Sequence, residues 1–320
     1  MQCRDGCKFS PLKLRLFLVR HGETVDNVAG RYAGITDSPL TSHGIVQAQR
    51  LAAHLVGRAP DIGPIRHVFS SDLTRAVETA AAVVDAQATI SATTSQTKLD
   101  GRPHADADGT PLKLVQVPEL RERDFGSLEG SKYGGGSMFL ANDVETPARM
   151  TERAKKFVDG HLAPLLTAEQ IAVGGSIVVV AHGVILDSLL RLLLNRYGSG
   201  EKAARLGDVK NTGWKNTGHV ELIVGDDSAS PAVADGPGDG AAEVCGKSTP
   251  TPPPQRQRQT KQPQITLTVV AVNVLTHLEG LTKTLGGIGS AQFDKRQRTM
   301  DSFFGPAAKK ARVEKKPEEA

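Results

Sequence analysis

Two histidines that are followed by glycine end apolar runs with the composition of buried strands. The first is His21, preceded by Arg20 at the end of LFLVR, and the second is His182, at the end of SIVVVA. A further arginine, Arg75, follows the small-residue turn Ser70–Ser71 in the first turns of a predicted helix. Clustered cations are costly to bury unless an anion compensates them, and guanidinium groups bind phosphate in a forked geometry. The pattern therefore indicates a phosphate site.

A carboxyl group between these segments completes the set that phosphoryl transfer needs. Glu122 lies in PELRERDFGSLEG, just after a short predicted strand at Val115–Val117. A carboxyl group held beside the leaving oxygen of a phosphoester acts as a general acid. A second interpretation stays open, in which Glu122 forms a surface ion pair with Arg121 or Arg123.

The elements that must position these side chains alternate between strands and helices. A buried strand at Leu14–Val19 precedes a predicted helix at Ser42–Val56, whose apolar residues recur at helical spacing. The stretches RHVFSSDLTRAVETAAAVV and SIVVVAHGVILDSLLRLLL repeat the order strand, turn, helix. This alternation predicts an α/β fold, a three-layer α/β/α sandwich around a mostly parallel sheet. Because ligands bind at the carboxyl ends of such strands, we expect both histidines and both arginines at one edge.

The chain is expected to form one folded domain, residues 13–285, after a flexible leader at 1–12. A surface insertion at about 92–114 contains Asp and His residues that could bind a metal ion, but its composition favours a solvated loop. A second insertion, at about 225–264, is rich in Pro, Gly and Ser and is predicted to be disordered. It separates HVELIV from ITLTVVAVNV, two strands expected to pair as a hairpin, because closure entropy rises slowly with loop length. Residues 286–320 are predicted to form a polar, basic tail.

The composition restricts the class of protein. A net charge of +4 over 320 residues, concentrated near the C-terminus, is mildly basic and by itself argues neither for nor against nucleic-acid binding. No dedicated nucleic-acid-binding fold is predicted. Cys3, Cys7 and Cys245 are few and odd in number, as in proteins of a reducing compartment. Cys3 and Cys7 lack a second Cys or His pair at zinc spacing, so no metal site is expected. No apolar run reaches the length of a membrane span.

Together the motifs resemble the histidine phosphatase superfamily, which contains cofactor-dependent phosphoglycerate mutases and many phosphomonoesterases. LVRHGET and GITDSPLTSHG match the first motif of the family. SSDLTRAVETA matches the segment that carries the second arginine, ELRERDFGSLEG matches the segment that carries the acid, and VVVAHG matches the segment that carries the second histidine. NTGWKNTGHVELIV and VNVLTHLEG resemble its closing strands, so the resemblance runs from about Leu14 to Leu281 without the two insertions. It implies a phosphoglycerate mutase-like fold and chemistry that needs no metal or organic cofactor.

The resemblance also implies a role for each matching residue. His21 would be the nucleophile that accepts the phosphoryl group, and Glu122 would protonate the leaving alcohol and then activate water. The positions that would hold the phosphate or the substrate are Arg20, Asn27, Gly34, Arg75 and His182. Two arginines and the second histidine among them would also stabilise the charge of the transition state.

The reaction type stays open between a hydrolase and a mutase. Phosphoglycerate mutases of the family carry a longer segment between the acid and the second histidine, with added basic residues for a carboxylated sugar phosphate. Here SKYGGGSMFLANDVETPARM is short, rich in glycine and poor in basic residues. This favours a phosphomonoesterase that acts on a phosphorylated small molecule or phosphoprotein. A third interpretation is a catalytically weak or inactive phosphatase fold that serves as an interaction scaffold.

The tail RQRTMDSFFGPAAKKARVEKK carries two short motifs. Gln297, Met300, Phe303 and Phe304 fit the pattern Q-x-x-aliphatic-x-x-aromatic-aromatic within 297–304. This resembles the PIP box, the peptide with which many proteins dock on the sliding clamp PCNA, because a helical turn would present the three apolar side chains as one plug. The alternatives are a chance match or packing of the phenylalanines on the domain.

The second motif is a basic run within 306–316. Its cationic residues are Lys309, Lys310, Arg312, Lys315 and Lys316. The run resembles a nuclear localisation signal that is read by an import receptor, and a solvated tail is the alternative. The two motifs together predict a protein of the nucleus that docks on PCNA, with a cytoplasmic pool left open.

Overall fold

A six-stranded mixed sheet forms the centre of the protein. The computed structural model describes residues 12–96, 111–134, 142–200, 212–226, 264–284 and 287–294, with the backbone alone for 90–96. The strands are β1 (Leu14–Arg20), β2 (Ile65–Ser70), β3 (Leu114–Gln116), β4 (Gly175–Ala181), β5 (His219–Asp226) and β6 (Ile265–Val274), in the order β3-β2-β4-β1-β5-β6. Strands β1 to β4 are parallel, and β5 is antiparallel to both β1 and β6, which confirms the predicted mostly parallel sheet.

Helices cover both faces of this sheet. Within the described residues they are α1 (Val25–Ala29), α2 (Ser42–Gly57), α3 (Ala59–Ile62), α4 (Thr74–Gln96), α5 (Pro147–Phe157), α6 (Ala168–Val173) and α7 (Gly183–Tyr197). Phe17 and Val19 of β1 pack with α2 and α4, whereas Leu16 and Leu18 pack with α5 and α7. This alternation of side chains between two cores produces the predicted three-layer sandwich.

Shorter helical turns join these elements. The 3-10 turns are Pro118–Leu120, Gly126–Leu128, Ala163–Leu165, Thr276–Leu278 and Ile288–Ser290, and a π-helical turn, Val158–Leu162, continues α5. Within the described ranges, no helix is both long and apolar enough to cross a membrane.

The two central strands bring the histidine segments side by side. Arg20, the last residue of β1, is the register partner of Ala181, the last residue of β4. The next residues are His21 and His182, and the His21 backbone N–H donates to the Ala181 oxygen at 3.0 Å. All seven residues of β4 are buried, and both strands have paired neighbours on each side. The sheet therefore fixes this edge.

Several predicted boundaries differ from the structure. Helix α4 continues to Gln96, beyond the predicted start of the insertion at 92, because the alanine-rich run has high helix propensity. Leu114 begins β3, so it belongs to the sheet, and β3 lies one residue before the predicted Val115–Val117. Strand β5 extends to Asp226, where it pairs with Ile265 of β6, which confirms the predicted hairpin.

The folded part of the chain continues past the predicted domain boundary at 285. Residues 287–294 return to the start of α2, where Ser42 N donates to Ala291 O and Phe293 N donates to Leu40 O, both at 3.0 Å. These backbone bonds place the beginning of the predicted tail on the domain. Most of the predicted leader, the two insertions and the remaining tail lie outside the described residues: 1–11, 97–110, 227–263 and 295–320.

Candidate active site

A cavity of about 480 Å³ opens at the carboxyl edge of the sheet. Six of the predicted site residues line it: Arg20, His21, Asn27, Gly34, Arg75 and Glu122. The seventh, His182, is fully buried beside them, with its ring centroid 5.0 Å from that of His21. The structure thus brings the predicted catalytic and phosphate-binding residues together.

His21 has an unprotonated ring nitrogen. Its Nδ1 lies 2.7 Å from the carbonyl oxygen of Gly22, and because a carbonyl only accepts, Nδ1 carries the proton and Nε2 keeps its lone pair. Burial lowers the pKa of His21 well below its ordinary value, and the charges of Arg75 and Arg20 lower it further. The ring is therefore neutral near physiological pH and keeps a lone pair on Nε2.

His182 has the opposite tautomer. Arg75 Nε donates to His182 Nδ1 at 3.1 Å, which leaves the imidazole proton on Nε2. This N–H is buried and has no acceptor among the described residues. An unsatisfied buried donor costs about 1–3 kcal/mol, so His182 Nε2 is suited to donate to an oxygen anion bound beside His21. Burial, followed by the charge of Arg75, lowers the pKa of His182 well below its ordinary value, which keeps the ring neutral.

Arg75 is 1% exposed and is held by the loop after α1. Its Nη1 donates to Thr36 O at 2.9 Å and its Nη2 to Gly34 O at 2.6 Å. With Nε on His182, three of its five N–H groups have partners and two remain for a ligand. Gly34, predicted as a ligand-binding position, lines the cavity and also supports Arg75 through its carbonyl oxygen.

Arg20 is held by the segment that precedes β5. Its Nη1 donates to Trp214 O at 2.7 Å, and Trp214 is fixed in turn by a 2.8 Å hydrogen bond from its Nε1 to Asp187. In the described part of the chain, neither Arg20 nor Arg75 forms an ion pair with a carboxylate. A buried and a partly buried guanidinium group that lack an ion-pair partner favour the binding of an anion.

Asn27 is oriented by hydrogen bonds on one side of its amide. Its Oδ1 accepts from Thr24 N at 3.3 Å and from Asn216 Nδ2 at 2.9 Å, so its own NH₂ group is left for a phosphate oxygen. Asn216 Nδ2 also donates to His21 O at 3.1 Å. The Asn216 side chain therefore links the backbone of His21 to the amide of Asn27, the predicted phosphate-binding group.

Glu122 lies at the N-terminus of α7. Its carboxylate accepts from the backbone N–H groups of Val184 and Ile185, at 3.1 to 3.2 Å, and of Arg123 at 3.0 Å. The alternative surface ion pair with Arg121 or Arg123 does not form, because Arg121 pairs with Asp72 and the Arg123 guanidinium donates to the carbonyl oxygen of Glu145. The carboxyl group is thus fixed at the lining of the cavity.

Most of this domain matches one family of known proteins. The model of the histidine phosphatase superfamily (branch 1) matches residues 16–99 and 102–217. The chain belongs to the histidine phosphatase superfamily. A curated relative, "Probable phosphoglycerate mutase GpmB" of Yersinia pestis (strain Pestoides F), is 31% identical over 229 residues, which cover 67% of this chain and 93% of the relative.

Solved structures show the same fold. "Mycobacterial hydrolase 1" and "Mycobacterial hydrolase 2" are each 20% identical to this histidine phosphatase superfamily chain and cover 81% of it. Their TM-scores are 0.52 and 0.51, and 98% and 90% of their own lengths are covered. These similarities agree with the predicted phosphoglycerate mutase-like architecture.

Sequence reasoning missed the residues that support the predicted ones. Trp214 and Asn216 lie in a segment that the motifs identified only as a closing strand, and Glu129 lay unnoticed in the acid segment. Their bonds join positions far apart in the chain, such as Arg20 and Trp214, so no local pattern indicated them. The sequence analysis predicted no metal ligands. The described residues contain no group of three or more His, Cys, Asp or Glu arranged to hold a metal ion.

The predicted partner-binding and import motifs lie outside the described residues. These are the residues of the PIP box-like peptide and of the basic run, within 295–320. The structure therefore describes the histidine phosphatase domain, and the two tail motifs remain predictions.

Proposed function

We propose that the protein hydrolyses phosphomonoesters through a phosphohistidine intermediate on His21, without a metal ion. The observation that carries this proposal is the pairing of two neutral histidines with opposite tautomers beside the buried guanidinium group of Arg75 and the partly buried one of Arg20. His21 offers a lone pair, whereas His182, Arg20 and Arg75 offer N–H groups to the phosphoryl oxygens. Membership of the histidine phosphatase superfamily supports the same reaction class.

The first step transfers the phosphoryl group to His21. The lone pair of Nε2 attacks phosphorus, a P–N bond forms, and the P–O bond to the leaving group breaks with its electron pair on oxygen. Glu122, protonated for this step, gives its proton to that oxygen, and an alcohol leaves. The guanidinium groups stabilise the charge on the three remaining oxygens.

The second step regenerates the enzyme. Glu122, now a carboxylate, accepts a proton from water while the water oxygen attacks phosphorus. The P–N bond breaks, its electron pair returns to Nε2 of His21, and inorganic phosphate leaves. No electron acceptor or metal is required, because the two steps together convert one phosphomonoester and one water molecule into an alcohol and inorganic phosphate.

The test is the hydrolysis of a generic phosphomonoester with and without a chelator. We expect turnover that resists the chelator, falls at least about 10³-fold in His21→Ala, and is retained in His161→Ala, which removes an exposed histidine outside the cavity. A base-stable, acid-labile phosphate trapped on the wild-type protein would support the intermediate. Full turnover in His21→Ala would exclude this mechanism.

The mutase alternative is tested with the same protein. The name of the Yersinia relative suggests it, whereas the short, weakly basic segment after Glu122 favours hydrolysis. We expect the enzyme to release phosphate from phosphomonoesters and not to interconvert 2- and 3-phosphoglycerate when 2,3-bisphosphoglycerate is supplied. Interconversion without phosphate release would favour the mutase.

We also propose that the tail docks the enzyme on PCNA in the nucleus, on the strength of the 297–304 motif and the basic run after it. The double variant Phe303→Ala with Phe304→Ala is expected to lose clamp binding in a titration with purified PCNA and to keep its turnover. Lys309→Ala with Lys310→Ala serves as the matched control, because it should weaken nuclear import and leave clamp binding intact. Clamp binding with no turnover of any phosphoester would favour the scaffold alternative.

A further inference from the structure

Three aromatic rings form one wall of the cavity that His21 lines. Tyr32 lies between Phe125 and Tyr133, with ring centroids 4.7 Å and 4.8 Å away, and Tyr133 meets it edge-on at 85°. Phe125 is buried, whereas Tyr133 is 50% exposed. The aromatic wall, Tyr32, Phe125 and Tyr133, therefore runs from the interior to the mouth of the cavity.

Backbone hydrogen bonds hold this wall in place. Tyr32 N donates to Ser131 O at 3.0 Å, Gly130 N donates to Tyr32 O at 2.7 Å, and Tyr133 N donates to Gly30 O at 2.9 Å. Two chain segments are thus tied together where the rings project. A wall that is ordered before a ligand arrives loses little entropy on binding, so it is suited to recognition.

The cavity offers little charge beyond the phosphate-binding groups. Among its described lining residues, Lys215 is the one further cation, and Asp187 accepts the hydrogen bond of Trp214 Nε1. A leaving group with several anionic groups would find a single compensating cation there. An aromatic ring in the leaving group could instead pack against the three rings of the aromatic wall.

We propose, on the basis of the phosphatase function above, that the leaving group of the substrate carries an aromatic ring that packs on the aromatic wall. Ring pairs attract at centroid distances of about 4.5–7 Å, and the half-exposed Tyr133 has a free part of its surface at the mouth. A volume of about 480 Å³ lies within the ~300–1,000 Å³ of small-molecule sites, so a phosphoryl group and a ring both fit. Aryl-substituted alkyl phosphates and nucleoside phosphates share this chemistry.

The experiment compares 2-phenylethyl phosphate with ethyl phosphate. Both release a primary alcohol, so the ring is tested without a large change in leaving-group chemistry. We expect kcat/KM of the wild-type enzyme to be at least about tenfold higher for the phenylethyl ester, since one well-packed ring is worth about a factor of ten. Equal values for the two esters would overturn the proposal.

Variants of the wall test the contact itself. Tyr133→Ala is expected to reduce the ratio of the two kcat/KM values to about threefold or less, mainly through KM of the phenylethyl ester, whereas Tyr133→Phe keeps the ring and the ratio. Val173→Ala, at a 58% exposed position outside the cavity, is the matched control and should keep the ratio. An unchanged ratio in Tyr133→Ala would also overturn the proposal.

Binding separates this inference from the proposed function. Calorimetric titration of His21→Ala protein with the two esters measures recognition without turnover. Tighter binding of the phenylethyl ester supports the aromatic wall even where the wild-type protein hydrolyses neither ester. Turnover of both esters without any preference in rate or binding would support the phosphatase function and contradict the aromatic-wall inference. The absence of binding of either ester would also contradict the inference.

Discussion

Two histidines at the ends of neighbouring strands have different chemistry because their hydrogen-bond partners differ. A carbonyl oxygen next to His21 fixes the proton on Nδ1, whereas the guanidinium of Arg75 fixes the proton of His182 on Nε2. Burial and the nearby arginines lower the pKa of both rings, so both are neutral. One ring can attack and the other can donate, although the two residues occupy equivalent places in the sheet.

A prediction at the residue scale concerns Gly34, whose φ is +55°. A Cβ at this position would lie 1.8 Å from Glu129 Oε1, and Glu129 accepts from the backbone N–H groups of Ile35 and Thr36 at 2.8 and 2.9 Å. Gly34→Ala should therefore displace the loop that holds Arg75. We expect a loss of about 1–3 kcal/mol in unfolding free energy and a fall of at least tenfold in kcat/KM.

The matched control is Gly57→Ala, at the end of α2, where an added Cβ meets nothing within 4 Å. It should be neutral or stabilise the protein by up to about 1 kcal/mol, because alanine has the higher helix propensity. Urea denaturation measures the unfolding free energy of both variants, and steady-state kinetics measures their kcat/KM. Equal stability and activity in the two variants would show that the loop tolerates the change.

At the scale of elements, the sequence predicted what local patterns encode. The apolar runs at β1 and β4 and the helical spacing of α2 indicated these elements within one or two residues, and the His-Gly pairs indicated their functional edge. The pattern did not reveal that Asn216 binds both Asn27 and His21 O, or that Arg75 reaches His182. Those contacts depend on how distant elements meet, which only the packed fold determines.

A prediction at the element scale concerns three histidines where α2, β5 and the turn Thr276–Leu278 meet. The ring centroids of His54, His219 and His277 lie 5.8 to 6.0 Å apart, beside the Arg58–Glu221 ion pair. Burial lowers the pKa of His219 to about 3 and that of His277 to about 4, and the neighbouring histidines add to the effect. The folded state therefore keeps both rings neutral at mildly acid pH.

The unfolded chain binds protons on these histidines below pH 6.5, so the fold should lose stability as the pH falls from 6.5 towards 4. For the fully buried His219 alone the loss from pH 7 to pH 5 is about 2 kcal/mol. Urea midpoints at the two pH values measure it. His219→Phe should reduce the difference, His161→Ala should keep it, and an identical difference in all three proteins would contradict the assignment.

At the scale of the whole molecule, the sheet edge that carries the candidate active site and the tail motifs belong to separate parts of the chain. The described domain continues to residue 294, and the PIP box-like peptide begins three residues later, at Gln297. Under the proposed function, we expect the domain to carry out catalysis and the tail to determine where in the cell the protein binds. Such a division allows either part to be removed without the other.

Truncation tests this division. A chain that stops after residue 294 should keep its thermal stability and phosphoester turnover and lose PCNA binding. A chain that stops after residue 286 should be less stable, because it loses the backbone bonds of Ala291 and Phe293 to the start of α2. Equal melting temperatures for the two truncated proteins would show that residues 287–294 do not support the fold.

The β5–β6 pair has a practical consequence. Asp226 and Ile265 face each other in the sheet, although 38 positions separate them in the chain (227 to 264). The polypeptide can be opened between them, and its original ends joined by a linker, to give a circularly permuted enzyme. Two separately produced fragments, 1–226 and 264–320, would form the complete sheet only when they bind each other. Phosphoester turnover would then measure the association of the two fragments.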